Sequence, residues 1–392
     1  IYSYDKSLKK LEDSTSTHLV NIPNLDTLPA YREATVADFN GDGYEDVAFA
    51  NNAEGYKPYT EPDFWNIENY ALMSNSEGIY EIQKLHPFVG YTHSITSGDI
   101  DGDSDIDLYI GDGGEANNPD DTKFGGDFTG GYFLVNDGLG NFTKHEQRIS
   151  YGHAHHLADL DNDGLPELIS TQAHNYCTFA GCTQEWGLRI YKRNASGLYD
   201  KVTSNLNPLP NSLTFGDVNN NDAGIYYEHN GNTIELAYMG DVIHLDVNND
   251  GLNDLIVLSN NLAGSEFISI LLNKGNFEFE LSTDRMTFEH SRANTLFLKT
   301  VDIDEDGNED ILIQRVNGAF SYGINNEVYY NDGNGYFSNE NKIALPDMSG
   351  TIEPADVDQD GDLDLFITHG HDLKREGNEV SGTVELYRNN NL

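Results

Sequence analysis

A nine-residue acidic motif that occurs six times constrains this chain more than any other feature of its sequence. The pattern is Asp-x-Asp/Asn-x-Asp-Gly/Ser-x-x-Asp/Glu, and each copy runs directly into a short hydrophobic segment. The copies begin at Asp38, Asp99, Asp159, Asp246, Asp302 and Asp356. Because a motif that recurs at intervals reports a repeated structural unit, the chain is predicted to be an array of similar modules.

A second signature follows most copies of the motif. An aromatic or aliphatic segment ends in Asn/Asp-Gly and is followed by a Phe or Tyr, as in 132–138 with Phe142 and 328–333 with Phe337. Asn-Asp-Gly between alternating hydrophobic residues predicts a β-hairpin, so each repeat is expected to form about four antiparallel strands. Four-stranded sheets repeated in this way are typical of an all-β fold, the β-propeller.

The number of blades is predicted to be seven, with six as the alternative. The long interval after the third motif contains a weaker copy at Asp217, so 212–240 is interpreted as a shortened seventh blade or as a hairpin inserted into a six-bladed ring. The last repeat stops after its third strand, at 384–387, and residues 1–6 are predicted to supply the missing outer strand. Pairing of the N- and C-terminal strands would close residues 1–392 into a single propeller domain.

Composition narrows the range of partners. The chain has 66 acidic and 22 basic residues and a formal net charge of -44, which repels nucleic-acid phosphates and anionic lipid head groups. No segment reaches the roughly 18 to 20 apolar residues that a membrane helix needs. We therefore expect a monomer with no nucleic-acid partner and no membrane insertion.

The spacing of oxygen-bearing residues in the motif predicts about six calcium sites. Positions 1, 3, 5 and 9 supply side-chain oxygens and position 7 supplies a backbone carbonyl, which suits the six-to-eight-oxygen shell of calcium. The predicted ligands are, in order, Asp38, Asn40, Asp42, Tyr44 and Asp46; Asp99, Asp101, Asp103, Asp105 and Asp107; Asp159, Asp161, Asp163, Leu165 and Glu167; Asp246, Asn248, Asp250, Leu252 and Asp254; Asp302, Asp304, Asp306, Asn308 and Asp310; Asp356, Asp358, Asp360, Asp362 and Asp364.

These loops resemble the FG-GAP/VCBS calcium repeats of integrin α-subunit propellers and of many bacterial exported proteins. The resemblance implies a calcium-loaded propeller that is secreted or held at the cell surface after removal of its signal peptide. The family includes adhesion modules, lectin-like domains and enzymes such as ulvan and rhamnogalacturonan lyases, so it does not decide the function.

Basic residues at one end of the predicted inner strands suggest a site for an anionic polysaccharide. They lie about six residues before or 13 to 15 residues after the first Asp of a motif, close to 20 Å from the metal loops and near the opposite mouth of the channel. In an acidic protein such a ring would attract an anion locally. The residues are Arg32, His93, His153, His174, Arg315, His369 and His371.

For a uronate-containing substrate, these groups suggest a lyase that cleaves by β-elimination. The reaction needs a cation at the sugar carboxylate, a base for the neighbouring proton and an acid for the leaving oxygen. His153, His174 and Tyr227 are the predicted catalytic residues, with Tyr176 and Tyr238 as alternatives to Tyr227. The remaining basic residues are predicted to bind substrate. Histidine and tyrosine chemistry on a propeller resembles that of ulvan lyases, which implies an algal glycan and a marine bacterium; a non-catalytic carbohydrate-binding or adhesion module is the alternative.

The two cysteines, Cys177 and Cys182, lie close together in a Gly-containing segment. Their spacing suits a local disulfide in an oxidising compartment. A Zn²⁺ site that includes His174 and a pair of free thiols are the alternatives.

Overall fold

The structure is a computed structural model that places part of the chain in a closed ring of antiparallel sheets. It describes residues 11–13, 15–19, 31–51, 68–75, 77–115, 131–149, 154–172, 176–178, 181–183, 187–202, 214–215, 225–229, 232–236, 238–260, 266–282, 284–286, 295–304, 306–315, 326–345, 351–357, 359, 363–368 and 384–389. Within these residues the secondary structure is almost entirely β, as the sequence predicts.

The strands follow one another along the described part of the chain with a single short helix, α1 (Thr15–His18), after the first. The first strands are β1 (Leu11–Asp13), β2 (Tyr31–Ala37), β3 (Asp46–Asn51), β4 (Glu68–Met73), β5 (Glu81–Gly98), β6 (Asp107–Glu115), β7 (Gly131–Asn136), β8 (Phe142–Ile149), β9 (Ala154–Ala158), β10 (Glu167–Gln172), β11 (Tyr176–Thr178), β12 (Gly181–Thr183), β13 (Gly187–Arg193) and β14 (Tyr199–Lys201). They continue with β15 (Thr214–Phe215), β16 (Ile225–His229), β17 (Asn232–Leu236), β18 (Tyr238–Leu245), β19 (Asp254–Asn260), β20 (Glu266–Asn273), β21 (Phe279–Ser282), β22 (Thr295–Val301), β23 (Asp310–Arg315), β24 (Asn326–Tyr329), β25 (Lys342–Leu345), β26 (Thr351–Ala355), β27 (Asp364–Thr368) and β28 (Val384–Asn389).

Each repeat of the motif lies in an antiparallel array whose first strand enters the acidic loop and whose second strand leaves it. Four sheets have four strands: β9, β10, β13 and β14; β18 to β21; β22 to β25; and β26 to β28 with β1. Strands β2 to β8 form one seven-stranded sheet. The 18-residue strand β5 joins two repeats in that sheet, because its first half pairs with β4 and its second half with β6.

The prediction of seven blades is wrong. In the described part of the chain, five sheets have four or more strands, and these hold the six acidic loops because β5 is shared. The segment interpreted as a shortened blade forms the three-stranded sheet β15 to β17. Leu160 and Ile169 of the third repeat belong to the same hydrophobic cluster as Val242 and Leu255 of the fourth, so these repeats meet directly. The ring passes from one to the other without a blade between them.

Apolar side chains fill the junctions between neighbouring repeats around the ring. Each of six hydrophobic clusters combines residues from two successive repeats, and one combines Phe49 and Leu72 of the first with Phe366 and Leu386 of the last. Burying both faces of each sheet in this way supplies most of the folding free energy of a propeller. The first strands of the repeats, namely β2, the second half of β5, β9, β18, β22 and β26, are called the inner strands below.

An N-terminal strand completes the last sheet, but it is not the one predicted. Strand β1 pairs with β28 in the register Leu11 to Asn389 and Asp13 to Tyr387, whereas residues 1–6 lie outside the described part. The outer edge of the last sheet is therefore covered by the start of the chain, which removes an exposed edge strand.

No helix among the described residues has the length and apolarity to cross a membrane.

Candidate metal centres and the centre of the ring

Each acidic loop turns back on the carboxylate at its first position. In five loops this carboxylate accepts the backbone N–H of position 6, where φ is positive, from 77° at Ser104 to 92° at Gly43. Glycine adopts this conformation without a Cβ penalty, which explains its frequency at position 6. The donors and acceptors are Gly43 to Asp38 (2.8 Å), Ser104 to Asp99 (3.0 Å), Gly164 to Asp159 (2.9 Å), Gly251 to Asp246 (2.8 Å) and Gly307 to Asp302 (2.9 Å).

The carboxylate at position 9 starts the second strand of each repeat and is buried. It accepts the backbone N–H of position 2 in all six loops. The pairs are Phe39 to Asp46 (2.8 Å), Ile100 to Asp107 (2.9 Å), Leu160 to Glu167 (2.9 Å), Val247 to Asp254 (3.0 Å), Ile303 to Asp310 (3.3 Å) and Val357 to Asp364 (3.2 Å). In four loops its other oxygen accepts a backbone N–H at the end of the third strand, from Ser74 (2.6 Å), Asn136 (2.7 Å), Asn273 (2.7 Å) or Asn331 (2.8 Å).

The position 9 carboxyl groups of the first five loops have raised pKa values. Burial is the main cause, and neighbouring carboxylates of the same loop add to it: the pKa is about 6 for Asp46 and Asp254, about 7 for Asp107 and about 8 for Asp310. A cluster of carboxylates therefore disfavours its own ionisation unless a cation joins it.

The loop oxygens fit a divalent cation. In the second loop, Asp99, Asp101 and Asp107 each offer an oxygen within 4.8 Å of the others. The Oδ1 atom of Asp101 is buried and has no hydrogen-bond partner among the described residues. Since a buried polar atom without a partner is unfavourable, a ligand for this oxygen is expected, and an all-oxygen cluster suits calcium. The oxygens of Asp302, Asp304 and Asp306 converge in the same way in the fifth loop.

In the third loop a lysine reaches the carboxylates. The Nζ atom of Lys192, on β13, lies 2.6 Å from an oxygen of Asp161, 2.6 Å from one of Asp163 and 3.1 Å from one of Glu167. The sixth loop is only partly described: Asp358, Asp360 and Asp362 lie outside the described residues. Its calcium ligands therefore remain a prediction.

Hydrogen bonds connect the loops of successive repeats. The side-chain amide of Asn273 donates to the backbone carbonyl of Leu160, in the preceding repeat, at 2.8 Å. Asn136 donates in the same way to Phe39 at 2.7 Å. The sixth and first loops are linked too, because the backbone N–H of Asp356 donates to Glu45 at 2.7 Å. These contacts hold the acidic loops side by side on one face of the ring.

The structure describes the backbone of four of the eight predicted polysaccharide-binding and catalytic residues. Those on described strands are Arg32 in β2, His93 in β5, Tyr227 in β16 and Arg315 in β23. Those outside the described residues are His153, His174, His369 and His371. Ala154 pairs with Thr171 at the end of the β9–β10 hairpin away from the third loop. The His93 side chain is only 3% exposed.

The structure brings together an ionic cluster at the centre of the ring that the sequence analysis missed. Lys299 on β22 forms an ion pair with Glu353 on β26 (3.1 Å) and donates to the backbone carbonyl of Ala34 on β2 (2.9 Å). Glu33 on β2 and Asp241 on β18 are also buried and interact electrostatically with this lysine. Burial disfavours the charge of Lys299, but the three carboxylates outweigh it, so its pKa is raised. For Glu353 burial dominates and raises the pKa to about 7 despite the lysine.

Two histidines from neighbouring repeats meet beside this cluster. Nε2 of His156, on β9, lies 2.6 Å from Nδ1 of His244, on β18. Burial lowers the pKa of both rings, and for His156 the second imidazole and Lys299 lower it further. Both rings are therefore neutral near pH 7, with one N–H donated between them.

A positional signal for the central residues was present in the sequence. His156, Lys299 and Glu353 each stand three residues before the first Asp of their motif. In the first and second repeats the same position holds Thr35 and Thr96, which also make contacts to the next repeat. The offset thus marks the inner-strand position that faces the adjacent repeat, and polar residues there could have been singled out.

Strands β11 and β12 bring the two cysteine positions opposite each other. Their backbone register pairs Cys177 with Cys182. Directly paired antiparallel residues have Cα atoms within the range that a disulfide spans. This geometry is compatible with the disulfide, which stays a prediction alongside the zinc site and the free thiols.

Comparison with known families supports the interpretation of the repeats. Residues 246–313 and 302–367, which contain the fourth to sixth loops, match the family profile described as FG-GAP-like repeat. The chain carries FG-GAP-like repeats. No curated protein matches the sequence. The FG-GAP-like repeats of residues 246–367 cover less than half of the chain, and the three earlier loops share the same hydrogen-bonding scheme.

Three solved structures that match the chain do so at low identity and low TM-score. A mutant Tc holotoxin pore from Photorhabdus luminescens is 15% identical, with a TM-score of 0.44, and the alignment covers 98% of this chain and 15% of that one. A mutant of AofleA from Arthrobotrys oligospora is 11% identical, with a TM-score of 0.43 over 88% of this chain and 81% of that one. The V. cholerae biofilm matrix protein Bap1 is 13% identical, with a TM-score of 0.35 over 88% and 44%. The chain thus spans only a small part of the holotoxin chain and under half of Bap1.

Proposed function

We propose that this protein is a calcium-binding β-propeller that presents the face opposite its metal loops to an anionic polysaccharide. The observation that carries the calcium assignment is the repeated loop geometry. The position 9 carboxylate accepts the backbone N–H of position 2 in all six loops, and acidic oxygens lie within 4.8 Å of one another in the second, third and fifth loops. Carboxylates at positions 1, 3, 5 and 9, with Asn40 and Asn248 at position 3 of two loops, would hold the ion. A bound calcium ion would supply positive charge that favours ionisation of the position 9 carboxyl groups, whose pKa values are raised.

Calcium bound per chain is the direct test of this assignment. After equilibrium dialysis in micromolar calcium, elemental analysis is expected to find several ions per chain. The substitution Asp101→Ala removes the unpartnered oxygen of the second loop and should lower the count by one. Asp284→Ala changes an exposed aspartate outside the loops and should leave the count unchanged. A wild-type chain without calcium, or an unaltered count in Asp101→Ala, contradicts the assignment.

The polysaccharide part of the proposal is supported by strand register. Arg32, His93 and Arg315 lie on strands at the ends away from the acidic loops. His153 and His174 occupy the corresponding offsets from the third motif in the sequence. If the other predicted basic residues lie on the same face, they would attract an anionic glycan to it on a strongly acidic molecule. The proposed chemistry is β-elimination at a uronate, with the two histidines and Tyr227 as acid, base and charge stabiliser. A module that binds the glycan without cleaving it is the second candidate, since the buried carboxylates Glu33, Asp241 and Glu353 surround Lys299 among the inner strands.

Absorbance near 235 nm, where an unsaturated uronate absorbs, distinguishes the two candidates. With ulvan and other uronate-containing polysaccharides we expect a rise that falls by roughly 100-fold or more in rate in His153→Ala or His174→Ala. His145→Ala, on the outer strand β8, is the matched control and should keep the wild-type rate. Binding without any rise would favour the non-catalytic module, and neither binding nor a rise on any anionic glycan would refute the polysaccharide proposal.

A further inference from the structure

In each repeat one residue of the third strand lies opposite the end of the acidic loop. This residue can be compared between repeats because the second and third strands pair in an equivalent register. In the third repeat Leu168 pairs with Tyr191, so Lys192 is the next residue of the third strand. The same step in the first, second, fourth and fifth repeats leads to an uncharged residue. These four residues are Met73, Val135, Leu272 and Tyr330. Among these five loops the lysine is therefore peculiar to the third, and in the sixth repeat the same step leads to Arg388, which is also basic.

Lys192 reaches the point at which the loop oxygens converge. Its ammonium contacts positions 3, 5 and 9 of the loop at 2.6, 2.6 and 3.1 Å, which are the side chains of Asp161, Asp163 and Glu167. An ammonium group has three N–H donors, and here each donor has a carboxylate acceptor. Charge-assisted hydrogen bonds of this length are among the stronger ones in proteins. The lysine thus supplies a positive charge to the carboxylate cluster, while the Oδ1 atom of Asp161 is buried and has no hydrogen-bond partner among the described residues.

Position 9 of the third loop is adapted to the same arrangement. It is a glutamate, whereas the other five loops have aspartate there. One oxygen of Glu167 accepts the backbone N–H of Leu160 at 2.9 Å, which preserves the bond common to all loops. Its other oxygen accepts Lys192, whereas in four other loops the corresponding oxygen accepts a backbone N–H from the third strand.

We propose that Lys192 replaces calcium in the third loop, so that this repeat completes its fold without metal. The inference rests on the proposed calcium sites of the other loops and departs from the prediction of an ion for every motif. A divalent cation and an ammonium group repel each other at a separation of a few ångströms, so calcium enters the third loop only if the lysine leaves. Without the lysine, Asp159, Asp161 and Glu167 retain oxygens within 4.8 Å of one another, enough to begin a calcium shell.

A reciprocal pair of substitutions tests this replacement. Lys192→Met keeps the apolar stem but removes the charge, and should raise the calcium bound per chain by one relative to wild type. Val135→Lys places a lysine at the equivalent position of the second loop and should lower the count by one. Lys201→Met, on the neighbouring outer strand, is the control for loss of a positive charge in the same repeat and should leave the count unchanged.

Stability provides a second measurement, which does not depend on counting ions. In excess chelator, Lys192→Met should lower the melting temperature because its three carboxylates lose their only cation; saturating calcium should remove most of that loss. Equal calcium counts in wild type and Lys192→Met, together with an unchanged melting temperature in chelator, would overturn the inference while leaving the other calcium sites intact. A wild-type chain that binds no calcium would instead overturn the proposed function and the inference with it.

Discussion

Removing calcium from the native protein is expected to lower its melting temperature by about 10 °C or more. A ligand that binds only the native state stabilises it by about 2.7 kcal/mol per site at 100 times its dissociation constant, so four such loops supply on the order of 10 kcal/mol. For a chain longer than 250 residues, each kcal/mol corresponds to roughly 1 to 2 °C. Differential scanning calorimetry before and after treatment with a calcium chelator measures the change.

Two controls separate this effect from general sensitivity to the chelator. Adding calcium back should restore the original melting temperature, whereas equimolar magnesium should restore less of it, because magnesium requires a stricter octahedral shell. A melting temperature that stays unchanged after verified removal of metal would show that the acidic loops are only solvated turns.

The substitution Lys299→Met is expected to destabilise the protein by about 3 to 5 kcal/mol, the usual cost of removing one partner from a buried ion pair. The lysine is 19% exposed and Glu353 is 3% exposed, so water replaces little of the lost interaction. Urea unfolding monitored by intrinsic fluorescence gives the free energy. The loss should be larger at pH 8 than at pH 5, since a buried carboxyl with a raised pKa is protonated at low pH and becomes an unpaired charge as the pH rises.

Two further variants test whether loss of the lysine charge causes the destabilisation of Lys299→Met. Lys274→Met removes an exposed lysine that lies 3.0 Å from Glu280, and should cost less than about 1 kcal/mol. The double substitution Lys299→Met with Glu353→Gln should recover part of the stability and weaken its pH dependence, because no carboxylate is left unpaired at that position. A single Lys299→Met variant within 1 kcal/mol of wild type would mean that the central ion pair contributes nothing beyond packing.

Local patterns predicted the repeats well because the chemistry of each loop is contained within nine consecutive residues. The first carboxylate, the positive φ at position 6 and the buried carboxylate at position 9 are all found where the motif places them. The following hydrophobic segments are strands, as their composition indicates. The repeated unit of the fold, an acidic loop followed by a strand, was therefore predictable from the sequence alone.

Features that depend on how the repeats meet could not be read from those patterns. The blade count was wrong because β5 continues through a junction where a break between two sheets was expected, and because β15 to β17 lie in a separate small sheet. The closing strand was misplaced since residues 1–6 and Leu11–Asp13 are similarly short segments, and only the pairing with β28 distinguishes them.

The candidate sites show the same division between local and long-range information. The carboxylates of the third loop were predicted, but Lys192 lies on β13, more than twenty residues along the chain, and only the register of β10 with β13 reveals its position. Glu33, Asp241, Lys299 and Glu353 come from four different repeats, so their convergence depends on closure of the whole ring. The assignments of His153 and His174 rest on position along the strands and stay predictions.

The continuous strand β5 has a consequence for how such a protein can change during evolution. Elsewhere around the ring a repeat ends at one strand and the next begins at another, so a unit can be duplicated or deleted by recombination in the segment between them. No such segment separates the first repeat from the second, because one 18-residue strand serves as the outer strand of one and the inner strand of the other. These two repeats should therefore be inherited as a pair, and insertions between them should be selected against.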